Sequence, residues 1–294
     1  CNQFAACIMR TRDLIDRNYT RQVTQEMVNA FRRGFAKINA LPLAEITEDK
    51  IIEILSREYD RSALKNADNM YNMSSDQYNA AISKMSAGIR KEQQNFSYTY
   101  NQVDRQMLNT LDQNNTLFIG KYFENDLEPL IRKEMSKILT EQQSKKDTSK
   151  AIAEMLKDQA GARAYNYSKM IVETNGTWAR SIGNINAMEE AGVTEYYYDV
   201  TLDDVTSEIC QALAGKSFPI DKGIQARDSY LNMPTANYET GRAYLERTSP
   251  FIQATKDGNF KANNQVYTKD QLMNIPGIQL PPLHPNCRTE IFIK

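Results

Sequence analysis

Histidine is nearly absent: the 294 residues contain one, His284. That excludes metal sites built on several histidines and leaves hydrolytic zinc chemistry without its usual ligands. The four cysteines, Cys1, Cys7, Cys210 and Cys287, are too few and too unevenly spaced for a disulfide framework. A reducing compartment is the simpler expectation. No apolar run approaches the ~20 residues that span a bilayer, so no membrane partner is expected. The formal net charge of −1 provides no global field to attract nucleic acid or lipid. There is no fixed-period repeat and no low-complexity tract. A first residue of cysteine fits a lipid-modified N-terminus, but an amphipathic pattern follows without a linker, which argues against that reading.

What is present suits a folded chain of two domains. Hydrophobic residues make up 41% and charged residues 25%, enough to bury a core. Ile15, Tyr19, Val23, Met27, Phe31 and Phe35 recur every four residues, with Leu14, Val28 and Ile38 beside them, and predict a helix over 8–38 with one broad apolar stripe. Leu41-Pro42 ends it. A second helix is expected from about Thr47, with Glu48 and Asp49 in its positive first turn, through Ile51, Ile52, Leu55 and Tyr59. Residues 62–113 are polar and read as weakly amphipathic helices. Leu127, Leu130, Ile131, Met135, Ile138 and Leu139 predict another, with Pro129 near its start. Asp147 or Thr148 is the expected cap of a short helix carrying Ile152, Met155 and Leu156. A longer run from Arg163 to Ala191 ends at Gly192, with Gly176 and Gly183 as candidate breaks.

Beyond Gly192 the period changes. Residues 195–202, with three tyrosines followed by Val200 and Thr201, read as a strand, in which Tyr197 faces opposite to Tyr196 and Tyr198. A turn and short helix over 203–213, an extended piece at 215–220 and a closing strand over 288–293 follow. Residues 221–275 read as an insertion of loops and small elements. The expected fold is α+β: a long, mainly helical N-terminal region, 1–161, then a small α+β domain with short strands, 162–294.

Two pieces of this second domain carry its chemistry. One runs from Asp203 through Cys210, Leu213, Gly215, Lys216 and Phe218, as Cys-x-x-Leu-x-Gly-Lys-x-Phe. The other is Pro281-Pro282-Leu283-His284-Pro285-Asn286-Cys287-Arg288, a proline-stiffened turn. In that order, and with Ala187 to Val193 before them, they resemble the phage Mu F-like minor head protein family over roughly 163–294. The chain departs from the family's fuller pattern at Ser207, where many members have a first cysteine, at Thr289, where many have a last one, and in the long stretch between the motifs.

The resemblance implies a non-enzymatic virion component that contacts the portal protein and other head proteins. It would act in head assembly, genome packaging or ejection, in the head interior or portal region after assembly in the host cytoplasm. Packaged double-stranded DNA is a further implied partner. The candidate contact is the basic N-terminal helix, where Arg10, Arg12, Arg17, Arg21, Arg32, Arg33 and Lys37 face only Asp13, Asp16 and Glu26; a solvated helix face is the plainer reading.

For Cys210, His284 and Cys287 two readings stand beside catalysis. Three ligands fall short of a closed tetrahedral zinc site, whose fourth member would be Asp203, Glu208 or water. The three are therefore expected first as a packed cluster with no cofactor, and zinc is the alternative. A cysteine hydrolase or transferase using the same three residues is the rival function, but no orienting acid or oxyanion loop is apparent. Arg163, Trp178 and Arg180 are expected to fasten their helix to a sheet rather than to stack on bases.

Overall fold

The computed structural model describes residues 2–122, 128–133, 145–158, 163–234 and 238–294. The fold is α+β, with long helices first and two small antiparallel sheets in the C-terminal part. Its contacts divide it into two compact units, each made of two segments. One is Cys1–Met70 with Asn115–Lys169; the other is Tyr71–Asn114 with Met170–Lys294. Residues 71–114 thus group with the C-terminal third and not with the helices that precede them.

In the first unit, helix α1 (Asn2–Ala40) ends where Pro42 removes a backbone donor, and a short 3-10 turn (Leu43–Glu45) leads to α2 (Glu48–Ile89). Thr47 caps α2, its Oγ1 accepting from the Lys50 N–H at 3.2 Å. Glu58 of α2 meets Arg33 and Lys37, and the Asn66 amide donates to the Val23 carbonyl. These pairings run in opposite directions along the two helices, so they lie antiparallel. The α1 stripe is buried at Val23, Met27, Phe31 and Ile38, together with Ala30, while Leu14 is 64% exposed. A spacing of four drifts by about 40° per step around a 3.6-residue helix, so the ends of the expected stripe rotate off the buried face. Ile131, within the helical stretch 128–133, and Ile152 and Met155 of α4 (Lys145–Asp158) are buried as well. That helix begins ahead of the expected caps Asp147 and Thr148. Leu127, Met135, Ile138 and Leu139 lie outside the described residues.

The second unit is built around the part of helix α5 (Ala164–Glu190) from Met170 onward, of which every residue from Asn175 to Met188 is buried. It is continuous through both glycines. A Cβ on Gly183 would lie 2.9 Å from the Tyr78 carbonyl oxygen, so a glycine lets α2 approach. The helix stops in a Schellman motif: Gly192 has φ +69, Val193 N–H bonds the Met188 carbonyl and Gly192 N–H that of Glu189. The polar side chains of α5 serve the elements around it. Thr177 Oγ1 donates to the Cys287 carbonyl, Asn184 to that of Ile291, and Asn186 to the Tyr78 hydroxyl. Trp178 stacks on Tyr230 with centroids 4.4 Å apart, so it fastens its helix to another helix (Ile220–Leu231) and not, as expected, to a sheet.

Strand β1 (Glu195–Asp199) is central to an antiparallel sheet between β2 (Ser217–Pro219) and β6 (Glu290–Ile293). Alternation puts Tyr196, Tyr198, Phe218 and Ile291 in the core, and Tyr197 on the other face beside Phe292. The Tyr196 and Tyr198 hydroxyls donate to the carbonyls of Gln279 and Ile278. Between β2 and β6 run helices α7 (Ile220–Leu231) and α8 (Tyr238–Thr248), then a second small sheet of β3 (Gln253–Ala254), β4 (Phe260–Ala262) and β5 (Gln265–Tyr267). The 221–275 stretch is therefore more regular than its composition suggests, and it packs into the same core through Tyr230, Phe260 and Leu272.

Candidate functional site

Helix α6 (Glu208–Leu213) carries Cys210 on its first turn, and Ser207 is its N-cap, with Oγ accepting from the Cys210 N–H. The helix runs into Gly215, whose φ of +71 suits glycine and whose N–H bonds the Tyr198 carbonyl. Leu213 and Phe218 fill the core behind it. On the other segment, Pro281, Pro282 and Leu283 are buried, while Pro285 is exposed. His284-Pro285-Asn286-Cys287 closes on itself: Cys287 N–H bonds the His284 carbonyl at 3.2 Å, and Asn286 has φ +59. Proline followed by a residue of positive φ is what a type II turn demands. That turn swings His284 and Cys287 to one side.

The two segments meet there. His284 Nε2 lies 3.1 Å from Cys210 Sγ, and the two sulfurs are 3.9 Å apart. Ser207 Oγ is 2.8 Å from the same Nε2, and Thr289 Oγ1 donates to Cys210 Sγ at 3.2 Å. Ser207 and Thr289 thus both border the cluster. Next to it is a cavity of about 20 Å³, lined by Thr206, Ser207, Cys210, His284 and Thr289 among others.

This Cys-His-Cys group can hold a metal ion; its three ligand atoms lie within 4.8 Å of one another. Zinc–sulfur bonds of ~2.3 Å at a tetrahedral angle put two sulfurs about 3.8 Å apart, close to the 3.9 Å found. The histidine is already oriented as a ligand. A carbonyl only accepts, so the 2.8 Å contact with Pro285 O fixes the proton on Nδ1 and leaves Nε2 as the ligand atom of the neutral ring. The thiols interact as a pair. Burial pushes Cys287 up, but the hydrogen bond from Cys210 and the influence of the His284 ring outweigh it and bring that thiol well below its ordinary range. The neighbouring Cys287 sulfur, together with burial, pushes Cys210 up. Burial lowers His284, yet its interaction with Cys287 raises it overall.

Neither expected acidic ligand joins the group. The Asp203 carboxylate is taken by Arg288 in a two-pronged pair at 2.7 and 2.8 Å, and Glu208 is exposed. Asp203 instead pins the 200–207 loop together with Thr206, and through Arg288 it ties the two motifs together. The Arg288 hydrogen bonds, ahead of that from Thr206, hold its carboxyl well below the usual carboxylate range. A depressed carboxyl contributes stability above its unfolded value of about 3.9 and loses it as pH falls through the folded value. Acid titration followed by carboxyl-carbon NMR should show Asp203 titrating below that value, and Arg288→Gln should return it to the ordinary range.

The basic residues of α1 do not all remain available. Glu58, 1% exposed, takes Arg33 at 2.7 Å and Lys37 at 2.5 Å, and Arg33 also reaches Glu26 at 3.0 Å. Burial raises the Glu58 carboxyl, and the bonds from Lys37 and Arg33 more than reverse it. Arg12 pairs with Asp13. Arg17, Arg21 and Arg32 are exposed, and Arg10 lies outside the described side chains.

Sequence reasoning missed a buried polar hub in the second unit. Asp104, fully buried, accepts hydrogen bonds from the Tyr78 and Tyr98 hydroxyls, the Asn101 N–H and the Asn186 amide. Asn186 in turn accepts from Arg227, which pairs with Glu189 and Asp228. Burial and then the Asp104 bond raise Tyr78 and Tyr98 above the ordinary phenol range. The readable signal was local: Asn101-x-x-Asp104 has the form of a capping pair at the start of α3 (Gln102–Tyr122).

Comparisons of the chain with protein-family models, curated proteins and solved structures return no match.

Proposed function

We propose that this protein is a phage or prophage minor head protein of the Mu F-like kind, a structural component that works beside the portal in head assembly, DNA packaging or ejection. The observation that carries this reading is the joining of the two motifs. Asp203, Cys210, Gly215 and Phe218 lie far along the chain from His284, Cys287 and Arg288, yet they form one site through the Asp203–Arg288 pair, the Cys/His cluster and the β2-β1-β6 sheet. Residues that resemble a family signature in order also act as a physical unit. Among the described residues no helix is long and apolar enough to cross a membrane.

Particles from the phage or prophage that encodes the chain test this reading. Mass spectrometry should find the protein in them at low copy number, and crosslinking should join it to the portal protein. Particles free of it would overturn the proposal.

We further propose that the metal is zinc. Two thiols and an imidazole suit it, and the sulfur spacing fits its tetrahedral edge. The ligands Cys210, His284 and Cys287 would clip the α6 turn to the turn before β6, and the ion would supply cross-linking rather than reaction chemistry.

For packaged DNA, Arg17, Arg21 and Arg32 are, among the described side chains, the α1 cations left exposed and outside the Glu58 cluster. Three phosphate contacts give a slope of log K against log salt of about −2.7. Arg17→Gln, Arg21→Gln and Arg32→Gln together should flatten it, as read by fluorescence anisotropy with duplex DNA. A slope that the triple variant leaves unchanged would remove α1 from DNA contact.

A further inference from the structure

Three protein ligands leave a tetrahedral ion one corner short. Asp203 is committed to Arg288, and Glu208 is exposed at the helix start. Thr289 is directed at a sulfur, its hydroxyl donating to Cys210 Sγ. What remains beside the ligand atoms is the Ser207 hydroxyl, 2.8 Å from His284 Nε2, and the cavity of about 20 Å³ that it helps to line. A space of ~10–15 Å³ suffices for one water when polar partners surround it; here Thr206, Ser207 and Thr289 are among the lining residues. The N-cap role of Ser207 keeps its side chain there, since Oγ accepts from the Cys210 N–H. Ser207 and Cys210 thus leave the same turn of chain and face the same point.

We infer that the fourth coordination position of the Cys210–His284–Cys287 centre lies at Ser207 and is filled by a water held by its hydroxyl. This rests on the zinc reading above and is independent of the head-protein reading. It makes the centre an open site of the three-ligand kind, with one exchangeable position, rather than a closed structural knot. Replacing the Ser207 oxygen by sulfur would close it.

The test is cobalt(II) titrated into the metal-free full chain and into Ser207→Cys, followed by visible and near-ultraviolet absorption. The unsubstituted chain should give four-coordinate bands with charge transfer from two thiolates. Ser207→Cys should raise that charge transfer about 1.5-fold, in the ratio of three thiolates to two, and tighten binding at least ~10-fold. Azide should shift the visible bands of the unsubstituted chain and leave those of Ser207→Cys alone. The azide arm needs no variant, so it decides the matter if Ser207→Cys folds poorly. Cobalt bound with spectra indifferent to both azide and Ser207→Cys would overturn the inference and keep the metal site. No cobalt bound by the unsubstituted chain would overturn both.

Discussion

Asp104→Ala is expected to destabilise the unit that contains it by about 3–5 kcal/mol. The carboxylate is fully buried and satisfies donors from three directions: Tyr78 on α2, Asn186 on α5, and Tyr98 with the Asn101 backbone at the start of α3. Removing it strands the Tyr78 hydroxyl in the core, and each stranded buried donor costs about 1–3 kcal/mol. It also removes the N-cap contact of α3. Asp104→Asn should cost less, because one carbonyl oxygen survives, although its amide then faces donors. Tyr98→Phe should cost least, since Tyr98 is partly exposed and its loss leaves the carboxylate with other partners. Urea denaturation of the three variants should give that order. An Asp104→Ala variant within about 1 kcal/mol of the parent would mean that the hub is solvated or dispensable.

The second large effect is metal removal. An ion held by the folded state alone stabilises it by RT ln(1 + [L]/Kd), about 4 kcal/mol when free metal stands ~1,000-fold above Kd. For a unit of this size each kcal/mol moves the melting temperature by roughly 2–4 °C, so a chelator should lower it by about 8–16 °C. Cys287→Ser should melt near the chelated parent and respond little to further chelator. The apo unit should still fold, because its core of α5, the β2-β1-β6 sheet and the 221–275 elements does not run through the ion. The effect should also fade toward low pH, since His284 and the thiols must lose protons to bind metal. Equal melting with and without chelator would leave the cluster as packed side chains.

Most of the architecture could be read from spacing and punctuation. Pro42 and Gly192 marked real helix ends, and the tyrosine run alternated as a half-buried strand must. What stayed hidden depended on partners distant in sequence. Gly183 looked like a break because the Tyr78 carbonyl that needs its missing side chain lies on another helix. The 221–275 elements looked like loops because the stretch is polar with Gly, Pro, Asn and Tyr scattered through it, yet Gly223, buried with Ile185 and Tyr196 against it, serves tertiary packing rather than a turn. Asp104 could be read locally only as the capping partner of Asn101, because the Tyr78 and Asn186 side chains that enclose it lie far away in sequence.

At the site, the order of the motifs was enough to associate Cys210 with His284 and Cys287. It did not reveal that Asp203 is consumed by Arg288, because a carboxylate near cysteines looks the same whether it ligates or pairs. Ser207 and Thr289 were legible only as missing cysteines. Their hydroxyls against His284 and Cys210 show that the positions still border the cluster.

Native mass spectrometry of the full chain, prepared without chelator, tests most directly the claim that the two motifs close around one ion. The mass should exceed that of the polypeptide by one zinc per chain, and the excess should vanish in Cys287→Ser while the variant stays folded. A parent chain that carries no metal, or one whose metal survives Cys287→Ser, would contradict it.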